Sequence, residues 1–322
     1  MPIQQRPSNQ NTSLTITSNL DGKLDGREVL FDFPTLKIGV AQYPEGPTGC
    51  TVFYFPTRGR FAVDVRGGSP GVLLLGQWES GERFVDAICL TGGSVYGMEA
   101  ITGIYPEMLA HRDYATDWQS IASILGAVIF DYGPRQNAIY PDSNLGRVAF
   151  RSAVTGRFPL GPIGAGSSAT VGKLVSSDSW ELAGQGGAFC QVGVTKIAVF
   201  SVVNSCGAIY DRSGKIVRGN LDRKSGQRFA LKKLTSNLIA DGGNTTLTVL
   251  VTNQKLTPFS LRQIGKQVHT SMARAIQPFH TWRDGDVFFT VSTEEVENPD
   301  LADIELGTIA SEMAWDAVLN SF

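Results

Sequence analysis

Six short runs of β-forming residues dictate what this 322-residue chain can fold into: 51–55, 61–65, 87–90, 127–130, 196–203 and 247–252. Each is closed off by Gly, Pro, Asn or Asp, the punctuation expected of strands. A further strand is expected over 287–291. Helical periodicity is clearest over 260–276, where Leu261, Ile264, Val268, Met272 and Ile276 recur at steps of three and four residues. Thr257-Pro258 supplies a cap and a first turn, and Pro278 stops the pattern. Other helices are expected over 95–110, where Pro106 should kink or end the segment, and over about 306–319. Strands and helices therefore alternate without the steady βαβ rhythm of a doubly wound sheet. Their order fits an α/β (α+β) chain layered αββα, a sandwich of stacked sheets flanked by helices.

Composition limits the function classes. With 42% hydrophobic residues and 36 glycines, the chain can bury a full core. A net charge of -2, with no Lys/Arg cluster longer than Lys232-Lys233, offers no footprint for nucleic acid. Cys50, Cys89, Cys190 and Cys206 lack metal-ligand spacing and read as reduced, mostly buried thiols. Residues 1–25 read as a polar, flexible leader without the basic start and apolar core of a signal peptide. No apolar run approaches the ~20 residues of a membrane span. The expectation is a soluble, cytoplasmic protein with one domain over 26–322.

Chemistry enters at Gly243-Asn244-Thr245-Thr246, immediately before the run 247–252. If the bond between Asn244 and Thr245 is cut, a new α-amino group lies beside the Thr245 hydroxyl. With an unperturbed pKa of about 7.7 to 8.0 it can deprotonate that hydroxyl, so nucleophile and base belong to one residue. From these four residues alone, a glycine turn entering a Thr-rich strand is the simpler reading. The polar, turn-rich stretch 218–244 reads as an exposed linker, which lets new ends separate while the strand stays fixed.

Other groups could assist. The segment from Gly161 to Lys173 is glycine-rich but misses a phosphate loop, because Leu174 follows Lys173. Lys173 could hold positive charge near an oxyanion or ease a proton transfer, or be a surface lysine after a turn. Asn204 ends the run 196–203, where its amide could donate to an oxyanion. Asp284-Gly285-Asp286 precedes 287–291; two carboxylates at a strand mouth can orient a hydroxyl or ammonium, although such a sequence is usually only a turn. Gly93 and Tyr96, in a glycine segment after 87–90, could floor a substrate pocket. His111, His269 and His280 give poor material for a metal site or a Ser-His-Asp triad.

Taken together, the chain resembles the DmpA-type aminopeptidase family of self-cleaving N-terminal-nucleophile hydrolases, with its nylon-oligomer-hydrolase branch the most similar. Among the carriers of the resemblance are Val63-Asp64-Val65-Arg66-Gly67-Gly68, Tyr140-Pro141-Asp142, Gly172-Lys173, Gly184-Gln185-Gly186, Gly243-Asn244-Thr245-Thr246, Phe279-His280-Thr281 and Asp284-Gly285-Asp286. The resemblance runs from about Phe31 to Leu319. It implies self-cleavage into fragments 1–244 and 245–322, amide hydrolysis without a cofactor, and a homotetramer of αββα protomers. Carried over by position, Thr245 is the nucleophile, Lys173 and Asn204 are its active-site partners, and Asp284 and Asp286 promote cleavage after Asn244. Two departures bear on substrate. Ser167-Ser168-Ala169 stands where wider family members carry Gly-Thr-Gly, and Phe130 stands where the nylon hydrolases carry a tyrosine.

Three readings follow: an endo-acting hydrolase of linear 6-aminohexanoate oligomers, an aminopeptidase acting on small peptides or β-peptides, and an unprocessed binding homologue. Retention of Thr245, Lys173, Asn204, Asp284 and Asp286 counts against the last, since binding alone has no need of all five.

Overall fold

A computed structural model describes residues 13–19, 26–73, 84–174, 179–229 and 243–322. The principal strands are β1 (Lys37–Tyr43), β2 (Thr48–Val65), β3 (Val72–Leu73), β4 (Phe84–Thr91), β5 (Ile124–Val128), β6 (Gln185–Val192), β7 (Thr195–Asn204), β8 (Thr245–Gln254) and β9 (Val287–Val296). The helices that cover them are α1 (Met98–His111), α2 (Ser143–Arg151), α3 (Pro258–Ser271) and α4 (Asp303–Leu319).

Hydrogen bonding runs in the order β6-β7-β8-β9-β2-β4-β5-β3. The long β2 serves two layers. Its first half, to Tyr54, pairs with β1 and β4, and its second half, from Arg60, pairs with β9. Side-chain alternation along the strands then fills three apolar layers. Ala198, Phe200 and Val202 of β7, Leu247 and Val249 of β8, and Phe53 and Ile88 from the opposite sheet meet in the central one. The alternate residues Ile197, Val199 and Leu250 pack outward on Leu261 and Ile264 of α3 and Ala310 and Ala314 of α4. On the other side Val52, Ala87 and Cys89 meet Ile101 and Ile104 of α1 and Leu145 of α2. This is the expected αββα order. Among the described residues no helix is long and apolar enough to cross a membrane.

Several local expectations shift. The runs 51–55 and 61–65 belong to one strand, because Pro56 falls where the β2–β4 ladder is irregular, between Tyr54 and Gly59, a place that does not need its missing N–H. The expected strand 127–130 is Ile124–Val128, so Phe130 lies beyond its end. Pro106 sits inside α1 without ending it; the carbonyl it frees, at Thr102, is at an exposed position. Thr257 caps α3 as expected, accepting from Ser260 N at 3.0 Å, but the helix stops at Ser271 and Ile276 joins a short strand beside Ile209. The nine-residue α2, capped by Asp142, was not foreseen. Within the expected leader, Thr17 and Ser18 pair with Gln42 and Ala41, and 1–12 and 20–25 lie outside the described residues. Of the expected linker, 223–228 are exposed and 230–242 lie outside the described residues.

Candidate active site

Three strand ends meet at the junction before β8. Antiparallel pairing sets Asn204, the last residue of β7, opposite Thr245, the first of β8. Parallel pairing of β8 with β9 then brings their entering segments side by side, with Asn244 bridging to Asp284. Residues some 40 positions apart in sequence are thus fixed around one peptide bond.

Thr245 is 4% exposed. Its hydroxyl donates to the carbonyl oxygen of Asn244 at 2.5 Å, and the same oxygen accepts from the Gly285 N–H at 2.8 Å. The carbonyl preceding Thr245 is therefore polarised by two donors. Gly285 is required for that approach, since a Cβ there would lie 2.4 Å from Ser69 O. On the upstream side Gly243, at φ 93°, leaves room for the Phe130 ring, whose Cγ lies only 2.5 Å from where a Cβ would stand.

The Asn204 side chain ties these pieces together. Its Nδ2 donates to Phe130 O at 3.0 Å and to Gly243 O at 3.1 Å, while Oδ1 accepts from Thr170 N at 3.0 Å and Lys173 Nζ at 2.9 Å. Lys173 also reaches Asn204 O at 3.1 Å. The backbone bonds Gly172 N to Gly207 O and Lys173 N to Cys206 O, both 2.9 Å, hold the lysine there. Burial lowers the Lys173 pKa to about 7, against the upward pull of Cys206 and Asp284. Burial also pushes the neighbouring Cys206 thiol up to about 12, which keeps it protonated.

Asp284 and Asp286 are fully buried. Asp284 Oδ1 accepts from Cys206 N at 3.2 Å and Oδ2 from Thr281 N at 2.8 Å, locking the turn beside Asn244. Asp286 Oδ1 accepts from Thr246 N at 2.7 Å, and Oδ2 meets His280 Nδ1 at 2.8 Å. Burial raises the Asp286 pKa to about 6, with Asp284 adding to the rise and His280 and the Thr246 amide opposing it.

The expected residues Thr245, Asn244, Asn204, Lys173, Asp284 and Asp286 therefore converge. Phe130 joins them through its carbonyl and through a ring that is 40% exposed. Gly93 and Tyr96 do not reach Thr245 through their contacts. Gly93 N donates to Asp131 Oδ1 at 2.9 Å, and the 63% exposed Tyr96 lies 6.0 Å from the Tyr140 ring. His280, set aside on sequence grounds, is held against Asp286. Its place in the Phe-His-Thr segment six residues earlier was the available signal.

The profile of peptidase family S58 matches residues 28–322. A 6-aminohexanoate-oligomer endohydrolase of Agromyces sp. (strain KY5R) is 44% identical over 92% of this chain and 86% of its own length. That of Paenarthrobacter ureafaciens is 43% identical with the same coverage. The solved L-aminopeptidase D-Ala-esterase/amidase of Ochrobactrum anthropi, a variant of the Ntn-hydrolase fold, superimposes with a TM-score of 0.66 at 16% identity, over 92% of this chain and 87% of that one. The fold is shared with that enzyme, and the sequence places the chain in peptidase family S58, as a hydrolase acting on amide bonds.

Proposed function

We propose that the chain cuts itself between Asn244 and Thr245, and that the freed Thr245 hydrolyses linear amides, 6-aminohexanoate oligomers above all, through an acyl-enzyme. The observation that carries this reading is the Thr245 hydroxyl 2.5 Å from an Asn244 carbonyl oxygen that Gly285 N–H also holds. Attack of Oγ1 on the Asn244 carbonyl carbon places negative charge on an oxygen that already has a fixed donor. Collapse breaks the C–N bond, the amine takes the proton, and an ester remains. Water then hydrolyses that ester, leaving the Asn244 carboxylate and a free Thr245.

In turnover the α-amine removes the hydroxyl proton, Oγ1 attacks the substrate carbonyl, the amine product leaves protonated, and water releases the acid. Withdrawal of Gly243 and Asn244 frees Asn204 Nδ2 from the Gly243 carbonyl, so that it can donate to the substrate oxyanion. Lys173, 2.9 Å from Asn204 Oδ1, polarises that amide and strengthens it as a donor. The substrate class rests on the names of the relatives at 43 and 44% identity. A homotetramer, the assembly the resemblance implies, belongs to the same proposal.

Intact-mass analysis of the denatured protein, with N-terminal sequencing of the small species, tests the cleavage. Thr245→Ala is expected to stay in one piece and hydrolyse nothing; cleaved, fully active Thr245→Ala protein sinks the mechanism. Oligomers with a blocked amino end separate the endohydrolase from the aminopeptidase reading, because only the former cuts them.

A further inference from the structure

Behind Asp286 lies a line of ionisable side chains that the reaction just described leaves unused. The His280 ring stands 4.4 Å from that of His269, nearly perpendicular at 83°. His269 Nδ1 lies 2.9 Å from Asp64 Oδ2, which also accepts from Arg66 Nε at 2.7 Å. His280 pays for its position twice over. It adopts φ 58°, in the left-handed region that side chains seldom enter, and its Nε2 is buried with no hydrogen-bond partner among the described residues. A strained backbone and an unsatisfied polar atom in one residue persist only where something else requires that placement. The contact obtained in return is Nδ1 against Asp286 Oδ2. A carboxylate only accepts, so Nδ1 carries the proton and donates.

We infer that His280 is a positioning residue for self-cleavage: its Nδ1–H holds the Asp286 carboxylate so that Oδ1 fixes the Thr246 amide, and with it the Thr245 hydroxyl, against the Asn244 carbonyl. The inference rests on the self-cleavage reading. Asp286 is faced by His280, Asp284 and Cys206; His280 is backed by His269, itself tied to Asp64 and Arg66, and Lys173 acts on Asp284. Self-cleavage needs Asp286 charged, so it is lost as pH falls through about 6. Loss of the imidazole removes an interaction that favours the charged form, which moves this acid limb to higher pH.

The experiment compares His280→Asn and His280→Gln with the wild-type chain, following the uncut fraction by intact mass from acid to neutral pH. An asparagine amide sits where Nδ1 was and tolerates a positive φ, whereas a glutamine amide reaches the Nε2 position. His280→Asn is expected to cleave within about threefold of wild type at neutral pH, and His280→Gln roughly ten- to a hundredfold more slowly, the loss of one hydrogen bond to a charged group. The acid limb of His280→Gln moves to higher pH, whereas that of His280→Asn, which keeps a donor to Asp286, stays near that of wild type. Wild-type rates in His280→Gln, or equal slowing of both variants with the acid limb unmoved, overturn the inference. Thermal melting in a Thr245→Ala background establishes folding; if His280→Gln does not fold, a folded His280→Asn that cleaves more than about tenfold slower than wild type at neutral pH, although its amide restores the donor, overturns the inference by itself. A wild-type chain that stays as intact as Thr245→Ala removes the self-cleavage reading and this inference with it, whereas a cleaving wild type with unaffected variants removes the inference alone.

Discussion

Replacing Asn204 by alanine separates two consequences of one buried amide. The side chain is fully buried, receives Thr170 N and Lys173 Nζ, and donates to Phe130 O and Gly243 O. Truncation strands the Thr170 amide and the Phe130 carbonyl, at about 1–3 kcal/mol for each buried group left without a partner. Lys173 keeps the Asn204 backbone carbonyl at 3.1 Å, which limits the damage on that side. Partial replacement by water brings the sum to roughly 2–4 kcal/mol, or a melting temperature lower by about 3–6 °C in a chain of this size. The effect on turnover should be larger. Loss of one oxyanion donor costs about 100- to 1000-fold in kcat, with KM little changed because the donor acts on charge that develops only in the transition state. The assay is kcat on a chromogenic amide, normalised to cleaved protomer by intact mass, alongside thermal melting. Cleaved Asn204→Ala protein with kcat within about threefold of wild type refutes the assignment of Asn204 as oxyanion donor, whatever its stability.

Phe200→Ala opens the centre of the sandwich, where its ring meets those of Phe53 and Phe158 at 5.4 and 4.7 Å; a loss of about 3–5 kcal/mol is expected by denaturant titration. Gly243→Ala drives a methyl into the Phe130 ring at φ 93°, so self-cleavage should slow, and a Phe130→Ala second change should recover part of the rate; no recovery means the clash is not the cause. Folded Lys173 gives up its proton near pH 7 and an unfolded lysine near 10.5. Between those values the unfolded chain binds more protons, so stability from this group rises with pH. Wild type should therefore gain on Lys173→Met through that window, and parallel melting curves across it contradict a desolvated lysine.

Much of the fold was legible in the chain. The runs 196–203 and 247–252 became β7 and β8 because they are continuous apolar or β-branched stretches between turn formers, and β8, buried along its whole length, reflects a strand covered on both faces. Thr257-Pro258 marked the start of α3 through chemistry confined to one turn. Pro56 closes the run 51–55 in the sequence but not the strand, and Pro106 does not end α1. In a sheet the missing N–H matters only where the ladder needs it, which neighbours from other parts of the chain decide; in a helix the lost bond is local, and the Thr102 carbonyl that Pro106 frees is at an exposed position. The nine-residue α2 was too short for its period to stand out from the surrounding loop.

The site divides in the same way. Thr245 could be singled out because the proposed nucleophile, base and scissile bond are adjacent in sequence, and Lys173, Asn204, Asp284 and Asp286 through the family pattern they complete. Only the tertiary structure set Asn204 opposite Thr245, turned Gly285 N–H onto the Asn244 carbonyl and joined His280 to Asp286. Those contacts arise from strand register, antiparallel on one side of β8 and parallel on the other. Register is decided by which apolar faces bury together across the sandwich, a property of the assembled layers that no local stretch of sequence contains.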